Sequence, residues 1–340
     1  MNQEKLIRPR PGHFAPVITG TGSYMPERVL TNNELAKMVD TTDEWIVTRT
    51  GIRERHIAAP DQASSDLGAE AARRALAAAG VGADEVDMII VATLTPDMGC
   101  PNTGCFIQQK IGASRAFCMD IEAACSGFIY ALEIASQFVA SGAVKTALVI
   151  GAEKLSSITD WTDRSVCVLF GDGAGAAVVQ ARPNGVGGVL HTILKSDGRL
   201  ADLLKMPAGG SRLPATQDTI EKKLHTLKMD GREVFKHAVT CMTGVARETL
   251  AACGLTVDDV KLIIPHQANM RIVQAIGERL GGKPEQYFVN LDKYGNTSAA
   301  SVIVAMDEAA KSGRLEKGDL VLLVAFGGGF TWGASVVEWQ

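Results

Sequence analysis

No stretch of this 340-residue sequence offers the ~18 uninterrupted apolar residues that a membrane-spanning helix needs. The amino-terminal run "MNQEKLIRPRPGHFAPV" is polar and holds no continuous apolar segment, so no secretory signal is expected there. CxxC pairs are absent as well. The seven cysteines (Cys100, Cys105, Cys118, Cys125, Cys167, Cys241, Cys253) are odd in number and scattered, and none stands at zinc spacing with a second Cys or His pair. That excludes a disulfide scaffold or a zinc ribbon and favours free thiols in a reducing cytoplasm. A basic excess is missing too. A net charge of −4 argues against a nucleic-acid surface.

What is present is globular: 46% hydrophobic and 21% charged residues, over more chain than the usual ~100–200 residues of one domain. The sequence also repeats itself. "AARRALAAAGVGADEVDMII" (71–90) and "VARETLAACGLTVDDVKLII" (245–264) match at 10 of 20 positions at an offset of 174, without a gap. Each reads as a helix ending at a glycine, an acidic turn, and a wholly apolar strand, the pattern of a sheet covered on both faces. "TALVIGAEKL" (146–155) pairs with "DLVLLVAFGGGF" (319–330), and "GDGAGAAVVQA" (171–181) with "TWGASVVEW" (331–339). Two similar α/β units are expected, over residues 1–185 and 186–340, sharing a site between them. "LHTLKMDGREVFKHAV" (224–239) reads as an insert leading into the second unit's first helix.

Cys125 lies in "DIEAACSGFIYALEIASQFVASG", between the strand "FCMDIEAA" and a helical pattern carried by Phe128, Ile129, Leu132, Ile134, Ala135 and Phe138. A helix start favours thiolate over thiol, so a lowered pKa is expected there. A cysteine beside two alanines is more often core filling, which Cys118, Cys167, Cys241 and Cys253 are expected to be. Cys125 needs partners to be a nucleophile. Of six histidines, His13, His56, His191, His225 and His237 have no motif around them. His266 ends the buried strand of "KLIIPHQAN", where α/β sheets bind ligands. Asn296 in "YGNTSAAS" precedes a helix and by itself reads as an N-cap. "AFGGGFTWGAS" (325–335) carries three glycines in a row, which suits either a tight turn or a loop whose N–H groups approach a ligand.

Together "DIEAACSGF", "IPHQANMRI", "YGNTSAAS" and "AFGGGFTWGA" resemble the active-site motifs of the β-ketoacyl-acyl-carrier-protein synthase III family, thiolase-fold condensing enzymes. The resemblance runs from about residue 18 to the C-terminus, and "TTDEWIVTRTGIRERH" (41–56) resembles the family's N-terminal signature. It implies a thiolase-like duplicated α/β fold with the two halves packed as αβαβα layers. The implied reaction is a decarboxylative Claisen condensation of acyl-CoA with malonyl-acyl-carrier protein, giving CO₂ and a 3-ketoacyl product.

In that reading Cys125 is the nucleophile, and the backbone N–H groups of Cys125 and Gly328 form the oxyanion hole. His266 and Asn296 steady the malonyl enolate. Trp45 and Arg164 sandwich the adenine of CoA and Arg49 meets its phosphates, while Lys236 and Arg271 face an acidic carrier protein. CoA enters as a substrate. No metal, flavin, nicotinamide or carboxylate base is called for, and neither nucleic acid nor membrane is a partner. The loop "DMGCPNTGCF" (97–106) resembles one that reaches a partner subunit's acyl pocket, which implies a homodimer. Many members place an aromatic residue before that proline; here it is Cys100, so a pocket for primers longer or bulkier than acetyl is expected. Two rival readings are a relative that acylates an oxygen or nitrogen acceptor and a non-catalytic CoA-binding subunit. Both fit poorly with Cys125, His266 and Asn296 being present together.

Overall fold

The structure, a computed structural model, describes residues 14–183 and 187–340. The junction expected at 185/186 lies outside the described residues, as does His13. The first half opens with β1 (Phe14–Tyr24). A small layer follows, in which β2 (Arg28–Thr31) pairs antiparallel with β3 (Glu54–Ile57) around α1 (Asn32–Leu35) and α2 (Asp43–Thr50). Thr42 starts α2 by accepting from the Trp45 N–H, and Gly51, at φ +80°, ends it. The wholly buried Arg55 donates to the carbonyls of Leu30 and Val168 and to the Asn32 side chain, fixing this layer against the body.

The body of the half is α3 (Ser64–Ala79), β4 (Met88–Ala92), α4 (Thr103–Ile111), β5 (Phe117–Ile121), α5 (Gly127–Ala140), β6 (Thr146–Glu153), α6 (Arg164–Cys167) and β7 (Gly173–Pro183). Its sheet runs β1-β7-β6-β4-β5, with β4 parallel to β5 and β6, and β7 antiparallel to β1 and β6. A Cβ on Gly22 of β1 would stand 2.4 Å from the Ala75 nitrogen, so glycine is what lets α3 sit directly on the strand.

The second half holds β8 (Gly188–Ser196), β9 (Leu204–Lys205), α7 (Gln217–Glu221), β10 (Lys228–Met229), α8 (Gly231–Ala252), β11 (Leu262–Pro265), α9 (Met270–Leu280), α10 (Leu291–Tyr294), α11 (Ala300–Lys311), β12 (Leu320–Gly327) and β13 (Thr331–Glu338). Its sheet runs β11-β12-β13-β8, with strand directions matching β4-β6-β7-β1. A single parallel bridge from Ile263 to Tyr287 stands where β5 stands in the first half.

One apolar cluster joins the inner faces of both sheets to α5 and α11. A second packs α3 and α4 outside the first sheet, and a third packs α8 and α9 outside the second. The result is the αβαβα layering that the resemblance implies. The repeat seen in the sequence falls on α3–β4 and α8–β11, as read. The stretch 224–239 does not. It is an insert only through β10, because Gly231 already begins α8, capped by Asp230. The excursion proper is the β9–α7–β10 segment, which stands between β8 and α8 as the β2–β3 layer stands between β1 and α3 and lies outside the stretches that the repeat matched. No helix among the described residues is long and apolar enough to cross a membrane.

Candidate active site

Cys125 sits in a 3₁₀ turn, Ala124–Ser126, between β5 and α5. The preceding Ala124 is left-handed (φ +45°), an uncommon state for a residue with a side chain. The turn is thus a sharp elbow that aims Cys125 inward. The β12–β13 hairpin closes over it. A Cβ on Gly327 would stand 2.6 Å from the Cys125 nitrogen, so this backbone approach demands glycine. Thr331 donates its hydroxyl to the carbonyls of Ala123 and Gly328 and accepts from Ser126, locking hairpin to elbow. The glycine run is therefore both a tight turn and a close wall.

His266 follows the last residue of β11, and its N–H still reaches Val324 of β12 at 2.8 Å. Its Nδ1 lies 2.6 Å from Ser301 Oγ at the start of α11. A hydroxyl donating to Nδ1 puts the ring proton on Nε2, the nitrogen left for a ligand. Burial pushes His266 down to about 3, so the ring is neutral near pH 7. Asn296 is not the helix cap. Helix α11 begins at Ala300, with no side-chain cap. Asn296 Oδ1 accepts from the Ser298 N–H at 2.8 Å, which fixes the amide plane and leaves Nδ2 as the free donor. Its backbone is pinned between Leu169 and Gly171 of the first half.

Cys125, His266 and Asn296 line one cavity of about 340 Å³. Trp45, Arg49, Arg164 and Arg271 line the same cavity. A second cavity of about 270 Å³ also reaches Cys125; its walls include Leu94, Leu155, Phe170, Leu204, Leu227 and Gly328. Cys125 stands where the two meet.

Two models of the 3-oxoacyl-[acyl-carrier-protein] synthase III family match the chain, one over residues 119–198 and the C-terminal one over 250–339. A β-ketoacyl-[acyl-carrier-protein] synthase III from Caldanaerobacter subterraneus subsp. tengcongensis is 56% identical over 96% of this chain and 98% of its own length. One from Desulfitobacterium hafniense is 54% identical, covering 95% and 97%. The crystal structure of the Aquifex aeolicus 3-oxoacyl-[acyl-carrier-protein] synthase III superposes with a TM-score of 0.88 at 48% identity, covering 95% of this chain and all of that one. The chain belongs to the synthase III family. It is an acyltransferase of the thiolase-fold condensing class.

Within this synthase III chain, several expectations change. The Cys125 thiol is not lowered: burial, with Glu153 and Glu122 adding repulsion, pushes it up to about 12. The helix start is there, but the thiol is buried, and desolvation of a thiolate outweighs it. Trp45 does meet both arginines, with Arg49 4.4 Å and Arg164 4.9 Å from its ring centroid. A base between Trp45 and Arg164 needs about 3.5 Å on each side, ~7 Å in all, so the slot is shut on itself without ligand. Arg271 lines the cavity, over Phe235; Lys236 does not, and pairs with Glu233 at 3.6 Å on the surface. Cys100 is exposed and lines neither cavity of its own chain. Cys118 and Cys241 are half-buried rather than core, whereas Cys167 and Cys253 are buried. Phe138 is the exception on α5: it faces outward, ring against Phe117 at 5.9 Å. Sequence reasoning missed Glu153 and Ser298 beside Cys125. The signal available was a carboxylate closing the otherwise uncharged strand "TALVIGAE".

Proposed function

We propose that the chain loads the acyl group of an acyl-CoA onto Cys125 and condenses it with malonyl-acyl-carrier protein, starting fatty-acid synthesis. The observation that carries this reading is the convergence of Cys125, His266 and Asn296 on one cavity whose outer wall holds Trp45, Arg49 and Arg164. CoA lies along that wall, its adenine on Trp45 once Arg164 swings aside and its phosphates near Arg49. Cys125 attacks the thioester, and the N–H groups of Cys125 and Gly328 hold the tetrahedral oxyanion. CoA leaves with the thiol proton. The acyl chain rests in the second cavity, against its Leu94, Leu155, Phe170 and Leu227 side chains, with Glu122 and Lys205 also in the wall.

Malonyl-acyl-carrier protein then enters by the vacated path, its carrier meeting Arg271 and Lys236. As CO₂ departs, the electron pair of the broken C–C bond becomes an enolate whose oxygen takes hydrogen bonds from His266 Nε2–H and Asn296 Nδ2–H. A donor of this kind is worth ~10²–10³ in rate. A neutral imidazole suits the task, since it donates without first having to bind a proton. The enolate carbon attacks the acyl-Cys125 carbonyl, and the Cys125 thiolate leaves.

The second cavity and the small Cys100 support primers longer or bulkier than acetyl. A homodimer completes the site: β5 is a sheet edge, flanked by exposed Phe117, Phe138 and Met98, and the Cys100 loop projects beside it. Seven free cysteines suit a cytoplasmic setting.

The test is incubation with a panel of acyl-CoAs plus malonyl-acyl-carrier protein, reading the 3-ketoacyl product by mass, with Cys125→Ala as control. Product from the unaltered protein alone supports the reading and names the primer. Acyl-Cys125 without ketoacyl product means transfer to another acceptor, and an acetyl-only preference overturns the larger-primer expectation.

A further inference from the structure

Glu153, the last residue of β6, is wholly buried, and among the described residues no cation pairs with it. Its carboxylate accepts from the hydroxyls of Thr95 (2.6 Å) and Thr93 (3.3 Å) and from the Leu94 N–H. The next residue, Lys154, turns away to the carbonyls of Ala59 and Gln62. A buried carboxylate without a counter-ion is costly and is a mark of functional sites. Ser298 adds a second, independent observation. It is left-handed (φ +48°), its Oγ is buried with no hydrogen-bond partner, and it lines the second cavity together with Cys125. It also lies close enough to the Cys125 thiol and the Glu153 carboxylate to lower the pKa of both.

We propose that Glu153, acting through the Ser298 hydroxyl, takes up the Cys125 proton when an acyl-CoA arrives. The proton leaves Sγ for Ser298 Oγ while the Ser298 proton passes to a Glu153 oxygen, leaving a thiolate and a neutral carboxyl. The thiolate attacks the acyl carbonyl, the C–S bond to CoA breaks, and the proton held by Glu153 ends on the departing CoA sulfur. Glu153 touches no reacting atom and works through Ser298. The other titratable groups facing the thiol are His266 and Glu122. His266 is pushed down to about 3 and makes a poor base; burial pushes Glu153 up to about 7, the stronger base of the two. Glu122 is exposed, its carboxylate on the Ala124 N–H.

This inference rests on the acyl-CoA reading, so the experiment reads Cys125 in two ways. One is the rate of acylation by acyl-CoA; the other is alkylation by iodoacetamide, followed on the Cys125 peptide by mass. Both are measured from pH 5.5 to 9 for the unaltered protein and for Glu153→Gln, Glu153→Asp and Ser298→Ala. The expected result is an ascending limb near pH 7 in the unaltered protein. Glu153→Gln loses that limb, with acylation slowed about 10²-fold at pH 7.5. Ser298→Ala behaves alike, Glu153→Asp keeps the limb, and decarboxylation by pre-acylated Glu153→Gln stays within threefold. Retention of rate and limb in Glu153→Gln overturns the proposal. So does faster alkylation, which would make Glu153 only a repulsive neighbour, and so does equal loss of both half-reactions, the mark of a structural role. If Glu153→Gln fails to fold, Ser298→Ala decides by the same limb. If no CoA thioester acylates the unaltered protein, the functional reading fails while alkylation still decides Glu153.

Discussion

His266 has a folded pKa of about 3 because its ring is buried without an acidic partner, whereas a histidine in the unfolded chain titrates near 6.5. Between those values the unfolded chain binds the proton and the folded chain does not. Stability associated with this group is therefore complete above pH 6.5 and is lost as pH falls below it, with a slope of up to about 1.4 kcal/mol per pH unit. Glu153 works in the opposite sense: with its folded value raised, the stability tied to it is greatest in acid and declines as pH rises from 4.5 to about 7. Comparison with a His266 variant separates the two. His266→Asn, which cannot take up a proton there, is expected to narrow its stability gap to the unaltered protein as pH drops from 7 to 5. Urea midpoints across that range check this, and a gap that stays constant would mean that His266 is accessible to protons when folded. His266 was legible because it ends an apolar strand, and Cys125 because it stands between a strand and a helical pattern. Glu153 was less so. Nothing in one sequence says that the strand carrying it ends against Ser298, 145 residues later.

Helix α2 is short, and its exposed face carries the side chains proposed to meet CoA. Trp45 and Arg49 stand one turn apart on it, and α6 brings Arg164 to the same ring. Asn269, which caps α9, donates its side-chain amide to the Arg49 carbonyl and so ties this helix to the rim of the cavity. Stacking a base on an aromatic ring is worth ~1–3 kcal/mol. Part of that is offset here by parting Trp45 from Arg164. Trp45→Ala is therefore expected to raise KM for acyl-CoA about 10-fold while kcat stays within twofold; a loss confined to kcat would move Trp45 from binding to chemistry. The elements themselves were largely legible. Apolar periodicity and the duplicated helix–turn–strand unit marked α3–β4 and α8–β11 because each must bury one face against a sheet. The shut Trp45–Arg164 slot was not, since side-chain positions without ligand depend on contacts from two distant segments. The start of α8 was also misjudged, because its cap, Asp230, sits inside a polar stretch that resembles a loop.

The two halves are alike in strand order but unlike at one edge, and that difference bears on the assembly. Where the first half presents β5, five residues long, the second has only the bridge at Tyr287. The first edge is therefore the longer one, and among the described residues no further strand pairs with it, the arrangement through which a second copy can extend a sheet. Phe117, 43% exposed, stacks on Phe138 beside it, apolar surface that a lone chain leaves in water. In the homodimer proposed above, an antiparallel β5–β5 contact about a twofold axis would cover both and carry each Cys100 loop toward the other copy. The expected solution mass by light scattering is twice that of one chain. Phe117→Asp places a charge on that edge, and the expected outcome is a monomer with unchanged circular dichroism whose condensation rate drops at least 10-fold. Acylation by short and long acyl-CoAs then separates two consequences of losing the partner. If the Cys100 loop closes the acyl cavity, the monomer loses its discrimination among primers before it loses attack by Cys125. A fully active monomer would show that one chain contains the whole site, and Cys100 would then have no part in choosing the primer.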